Sequence, residues 1–158
     1  GEVGQGFKYA QVRLAPARLT LCMRWLGASG RALDLMKARA KSRTLGPDSV
    51  LADKQLVQQH LAVSAIELNA ARLATLHAAW RIMQDGAKAA RLEISLIKVQ
   101  VAQTLQRIVD RAIQVHGALG VTDDTVLSFL YREERAARIY DGADEVHLAS
   151  IAKQLLKA

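Results

Sequence analysis

Residues 88–116 read KAARLEISLIKVQVAQTLQRIVDRAIQVH, and this stretch decides the fold. Ala90, Ile94, Ile97, Val101, Leu105, Ile108, Ala112 and Val115 follow one another at steps of three or four, which sets their side chains on one face of an α-helix. At 1.5 Å per residue, a helix from Lys88 to His116 would run roughly 43 Å. Leu92, Leu96 and Val99 load its flank as well, so the sequence predicts that this helix sits centrally. Each large aliphatic side chain on it is worth about 1.5–3 kcal/mol on full burial. The run stops at His116-Gly117-Ala118-Leu119-Gly120, where glycine permits the left-handed backbone that ends helices.

On the amino-terminal side, Leu19, Cys22, Leu26, Leu33, Met36 and Ala40 mark a helix over residues 17–41, with Pro16 suited to its first turn. Gly46-Pro47 breaks the chain. A second helix is predicted through Val57, Leu61, Ala65, Leu68, Leu76 and Met83, ending at Asp85-Gly86. On the carboxyl-terminal side, Thr122-Asp123-Asp124 reads as an N-cap for a shorter helix from about Asp124 to Ile139. Tyr140-Asp141-Gly142 then separates it from a last helix beginning at Asp144 or Glu145 and running through Leu148, Ile151 and Leu155. No strand signal, internal repeat or low-complexity tract competes. The expected fold is all-α: an antiparallel up-and-down helical bundle of the four-helix kind.

Composition agrees. The 158 residues are 51% hydrophobic and 4% aromatic with two prolines, which excludes disorder, collagen and a strand-rich sandwich. The longest stretch without a charge, Gln55–Ile66, is 12 residues, too short to span a membrane. The lone Cys22 lies in an apolar run and reads as a buried reduced thiol, excluding an intrachain disulfide and a cysteine-based zinc site. Net charge is +7, and Lys8–Arg43 holds a local excess of +8. That basic segment reads first as solvated or subunit-facing surface, then as a phosphate ligand, and last as a nucleic-acid contact, because no aromatic residues interleave to stack bases. The chain opens on Gly1 without an initiator Met or a leader pattern and reads as a fragment.

Few residues offer chemistry. Asp141 precedes Gly142 at a tight junction where a side chain can project into a cleft, although a turn or capping role leads on local grounds. His60, His77 and His147 lack a second ligand at helical spacing and read as core or surface residues. Gln114–Gly120 either presents backbone N–H groups to a phosphate or is a glycine cap, and the local sequence does not rank the two. A G-x-G-x-x-G turn after a strand, a P-loop and a Ser-His-Asp pattern are all missing, so chemistry built wholly within this chain is not expected.

Taken together, these landmarks resemble the carboxyl-terminal helical domain of the acyl-CoA dehydrogenase family over nearly the whole chain. Gly4-Gln5-Gly6-Phe7 looks like the family's G-x-G-F junction, and Arg31-Ala32-Leu33-Asp34 matches its R-A-L-D helix. Gln114–Gly120 is similar to its Q-x-x-G-x-x-G turn, Arg132-Glu133 falls at its R-D, and Ile139-Tyr140-Asp141-Gly142-Ala143 resembles its I-Y-E-G-T segment. The resemblance implies residues 1–7 as the junction from a middle β-domain and 8–158 as the helical bundle. It also implies FAD as cofactor, an acyl-CoA thioester as substrate and a 2-enoyl-CoA product.

Asp141 falls on the family's catalytic base, where the usual residue is Glu. The missing methylene shortens the reach by roughly 1.5 Å, a displacement that can cost about a hundredfold in rate. Some members carry the base on the first helix, but Ala17 occupies that position and cannot ionise. Arg18 aligns with an arginine that contacts CoA. Gln114, Ala118 and Gly120 align with the turn that touches FAD bound to a neighbouring subunit, and Arg43 with the start of an R-x-x-F-G motif. That motif is shortened here to Arg43-Thr44-Leu45-Gly46 and lacks its Phe, and the glutamine usual downstream is lost unless Gln55 replaces it. The wording Asp141-Gly142-Ala143-Asp144-Glu145-Val146-His147 is similar to a branch acting on atypical, branched or hydroxylated acyl chains.

The resemblance further implies a homodimer or a tetramer of two dimers, with electron-transfer flavoprotein as electron acceptor. The isolated chain is expected to be inactive, since the domains that cover the flavin and the acyl chain lie outside it. The compartment is left open, cytoplasmic for a bacterial source and mitochondrial or peroxisomal for a eukaryotic one. Other readings of the same fold are a non-catalytic oligomerisation or DNA-associated module and an acyl-CoA oxidase.

Overall fold

The computed structural model describes residues 1–157, with backbone alone at residue 15. Among the described residues, five α-helices carry the fold: α1 over Gly6–Ser42, α2 over Gln55–Ala89, α3 over Arg91–His116, α4 over Val126–Glu134 and α5 over Asp144–Leu155. The fold is the expected all-α bundle. Glu67 near the start of α2 pairs with Arg107 and Arg111 late in α3, while Arg81 late in α2 pairs with Glu93 early in α3. These crossed pairings fix the two helices as antiparallel neighbours. Burial alone would raise the Glu67 carboxyl, but hydrogen bonds and charge from Arg111 and Arg107 outweigh it and hold the group below the usual carboxylate range.

α3 lies at the centre, as its periodicity requires. All eight residues of its predicted stripe are buried, and Val101, Leu105, Ile108 and Ala112 are wholly inaccessible. α1 covers one side through Cys22, Trp25, Leu26, Leu33, Met36 and Ala40. The helix ends where its glycine signal falls: Gly117 takes φ +65° and its N–H returns to the carbonyls of Ile113 and Gln114. Gly86 likewise leaves helical geometry at φ +79°, which turns the chain from α2 into α3 at the predicted break.

Four expectations are corrected. α1 begins at Gly6, not near Ala17, and Pro16 lies inside it. Proline removes one helical hydrogen bond and crowds the preceding turn, yet good helix formers on both sides carry the helix through. The chain also has a small antiparallel hairpin, Thr44–Gly46 with Ser49–Val50, in which Thr44 faces Val50 and Gly46 faces Ser49 across the Pro47-Asp48 turn. The cap of α4 is Thr125, whose hydroxyl accepts from the Leu127 N–H. Thr122 instead closes a local turn onto the Asp124 N–H, and after Glu134 the chain tightens into a 3₁₀ turn over Arg135–Arg138.

The fourth concerns α2. Its core face is Val57, Ser64, Leu68, Ala71, Thr75 and Ala78, largely small residues that let α2 approach its neighbours closely. Ala65, Leu76 and Met83 of the predicted stripe lie outside that face and are exposed, with Met83 80% accessible. Ile66, Leu73, Leu76, Trp80 and Met83 form a second apolar face toward solvent. Among the described residues, no helix is long and apolar enough to cross a membrane.

Candidate active site

The corner between α4 and α5 is built by two successive residues with positive φ, Asp141 at +54° and Gly142 at +102°. Asp tolerates the left-handed region better than most residues because its short polar side chain can bond locally. Gly142 has a second constraint: a Cβ there would lie 2.7 Å from His147 Nε2. The Asp-Gly pair therefore makes a reversal that most other pairs could not adopt.

Side chains from three helices hold this reversal. From α1, Arg18 Nε donates to the backbone carbonyl of Asp141 at 2.9 Å. From α5, His147 Nε2 lies 3.3 Å from the same oxygen, while its Nδ1 lies 3.3 Å from Ser95 Oγ on α3. One consistent assignment has Nε2–H donating to the carbonyl and Nδ1 accepting from the serine hydroxyl, as in a neutral imidazole. Burial lowers the His147 pKa, the hydrogen bond to Asp141 opposes that shift, and the charges of Arg18 and Lys98 reinforce it. Burial also pulls the Arg18 guanidinium below its ordinary range, with Asp141 opposing and Arg91 adding to the shift.

Tyr140, immediately before the reversal, is pinned too. Its hydroxyl accepts from Arg24 Nη2 at 2.8 Å and from Trp25 Nε1 at 3.3 Å, and its ring packs on Trp25 at a centroid separation of 6.0 Å. Arg24 also binds the buried Glu134 carboxylate through two bonds of 2.8 and 3.0 Å. Asp144, the first residue of α5, accepts from Arg138 Nε at 2.7 Å and Gln103 Nε2 at 3.2 Å, and Lys98 Nζ lies 3.9 Å away. Every anchor therefore acts on the backbone of Asp141 or on its neighbours. No hydrogen bond to the Asp141 carboxylate is found among the described residues, which leaves this half-buried group available as a base.

Two sequence-predicted residues, Asp141 and Arg18, thus meet. The others lie elsewhere. Arg43 caps the far end of α1 and is exposed, roughly 37 Å along that helix from Arg18 at 1.5 Å per residue. Gln114 and Ala118 are exposed at the corresponding end of α3. Gly120 is buried, and a Cβ on it would lie 2.7 Å from the Ile113 carbonyl oxygen, so its place in the turn has an internal packing reason. An open, largely apolar groove of about 790 Å³ runs between α1 and α2, bordered by Leu19, Met23, Leu26 and Leu76, and a second of about 480 Å³ lies between α2, α3 and α5. Asp141 lines neither.

Sequence reading missed His147, Lys98, Gln103 and Asp144 as parts of this arrangement. A signal existed for one of them: Lys98 stands between Ile97 and Val99 on the most apolar helix, where a charged residue needs a buried partner.

Residues 4–156 match the family model described as acyl-CoA dehydrogenase, C-terminal domain. The chain is similar to a Mycobacterium tuberculosis protein named "Probable acyl-CoA dehydrogenase FadE2", at 50% identity over 97% of this chain and 37% of that protein. It is also similar to acyl-CoA dehydrogenase family member 11 of Rattus norvegicus, at 43% identity over 98% of this chain and 20% of that one. Among solved structures, the butyryl-CoA dehydrogenase of Megasphaera elsdenii superposes with a TM-score of 0.88 at 26% identity, over 99% of this chain and 40% of that one. The chain therefore spans about two fifths or less of the length of these relatives. With the helical order, the corner geometry and these likenesses agreeing, the chain belongs to the acyl-CoA dehydrogenase family, as its carboxyl-terminal domain.

Proposed function

We propose that this chain supplies the catalytic base of an FAD-dependent acyl-CoA dehydrogenase, with Asp141 removing the α-proton of an acyl-CoA thioester. The observation that carries this reading is the Asp141 corner: its backbone carbonyl is engaged from α1 and α5, while no partner for its carboxylate is found among the described residues. The α C–H bond breaks, its proton passes to the Asp141 carboxylate, and a double bond forms between Cα and Cβ as the β-hydrogen leaves with its electron pair. FAD, when bound, supplies the acceptor for that hydride.

Arg18 serves twice. Its Nε holds the Asp141 carbonyl, and the guanidinium as a whole places positive charge beside the base, which suits the anionic CoA moiety. The FAD contacts implied at Gln114, Ala118, Gly120 and Arg43 lie at the opposite end of the bundle from Asp141. Exposed Gln114 and Ala118 suit a cofactor held by a neighbouring copy, not one bound beside the base. A homo-oligomer is consistent with this division of labour. Two features weigh against the DNA-associated alternative: Arg24 of the basic α1 is paired with Glu134, and Lys37 with Asp34.

The test is anaerobic flavin reduction by acyl-CoA in the whole protein that carries this domain. Asp141→Asn should abolish reduction while leaving bound flavin and acyl-CoA affinity in place. Normal reduction by that variant would refute the assignment. Oxygen consumption during turnover separates an oxidase from a dehydrogenase that passes electrons to electron-transfer flavoprotein.

A further inference from the structure

The turn that presents Asp141 is closed at its base by an ion pair. Arg138 stands three residues before Asp141 and Asp144 three residues after it, and Arg138 Nε meets Asp144 Oδ2 at 2.7 Å. Asp144 is 2% exposed, and its carboxylate also accepts from Gln103 of α3. Lys98, also on α3 and wholly buried, brings its Nζ to 3.9 Å from Asp144 Oδ1. No hydrogen-bond partner for that ammonium is found among the described residues, so burial works against its charge, and Asp144 is the largest of the charges that support it, with Asp141 adding to it.

We propose that Asp144 is a positioning residue for Asp141. One carboxylate joins the two stems of the turn to each other and ties both to the central helix, so the apex can move only if a buried charge loses its partner. The energetics favour such a lock, because breaking a buried pair from one side strands the other charge in a poorly solvating interior. Its geometry matters because proton abstraction responds steeply to ångström-scale displacement of the base. This inference rests on Asp141 being the base.

The test compares Asp144→Asn with the double variant Lys98→Met/Asp144→Asn in the whole protein. Flavin reduction is followed with saturated straight-chain acyl-CoA thioesters, using the one the wild type turns over fastest, and kcat is expressed per bound flavin. Asp144→Asn should lower kcat about tenfold or more with KM changed less than about twofold. The double variant leaves no fully buried charge stranded, since Arg138 is partly open to solvent, so its thermal midpoint should return toward wild type while kcat stays low, because the clamp on Arg138 is still missing. A kcat within about twofold of wild type in Asp144→Asn, a KM change as large as the kcat change, or recovery of kcat together with stability in the double variant would each overturn the proposal. If Asp144→Asn fails to fold, the double variant is read against Lys98→Met, which keeps the Arg138–Asp144 clamp: kcat should be low only in the double variant, and an equally low kcat in Lys98→Met would overturn the proposal. Asp141→Asn is run beside them: retained reduction there removes the base assignment and this inference with it. Loss there with an unaffected Asp144→Asn removes only the inference.

Discussion

At the scale of single residues, a backbone requirement at Asp141 and Gly142 shares two adjacent positions with the proposed chemical one. Gly142 has φ +102° and no room for a Cβ beside His147. Gly142→Ala should therefore cost about 1–3 kcal/mol in chemical unfolding and slow flavin reduction. Unchanged stability would mean that His147 moves away freely. His147 gives a pH dependence. Its folded pKa is depressed, first by burial, so between that value and its unfolded value of about 6.5 the unfolded chain binds a proton that the folded chain does not. Stability is thus highest above about pH 6.5 and falls as pH drops through that window. Unfolding midpoints at pH 7.5 and 5.5 should differ more for wild type than for His147→Gln, and equal differences would show that the ring titrates alike in both states. Cys22 is chemically quiet by the same physics, since burial pushes its thiol up to about 12, with the charge of Lys98 only partly opposing.

At the scale of elements, α3 and α2 teach opposite lessons about periodicity. On α3 the large apolar residues of the predicted stripe are all buried, and Leu96 on the flank is the one that stays exposed, so the richest apolar face is the inward one. Ile108→Ala should cost about 2–5 kcal/mol, measured by denaturant unfolding. A loss below 1 kcal/mol would mean that the core there collapses around the deletion. On α2 the small and hydroxyl side chains Ser64, Ala71, Thr75 and Ala78 face inward while Leu76, Trp80 and Met83 face out. Both sets repeat at helical spacing. Periodicity identifies the helix in each case, but on a two-faced helix it cannot say which face the rest of the domain covers.

At the scale of the whole molecule, the outward face of α2 borders the groove between α1 and α2, giving a continuous apolar surface wider than scattered exposed residues would produce. In the whole protein, Leu76→Glu should shift sedimentation velocity toward a smaller species, with little change in helical content. An unchanged sedimentation coefficient would leave this face without a role in assembly. The Gln114–Gly120 turn and the Asp141 corner lie toward opposite ends of α3, and under the proposed function one copy would offer its far end to a cofactor while Asp141 serves a different pocket.

The sequence by itself determined the helices, the central place of α3 and the corner at Asp141-Gly142. Those features depend on local spacing, glycine conformational freedom and caps, all of which act between residues close in the chain. Helix boundaries were less legible: propensity carried α1 through Pro16, and the turn at Pro47-Asp48 paired strands too short to leave a pattern. Only the tertiary structure decided which face of α2 is inward, and that Arg18, Ser95, Lys98, Gln103 and His147 converge around the corner. Their partners lie on other helices, up to 123 residues away for Arg18. Such pairings exist only once α1, α3 and α5 pack side by side and remove those charges from water.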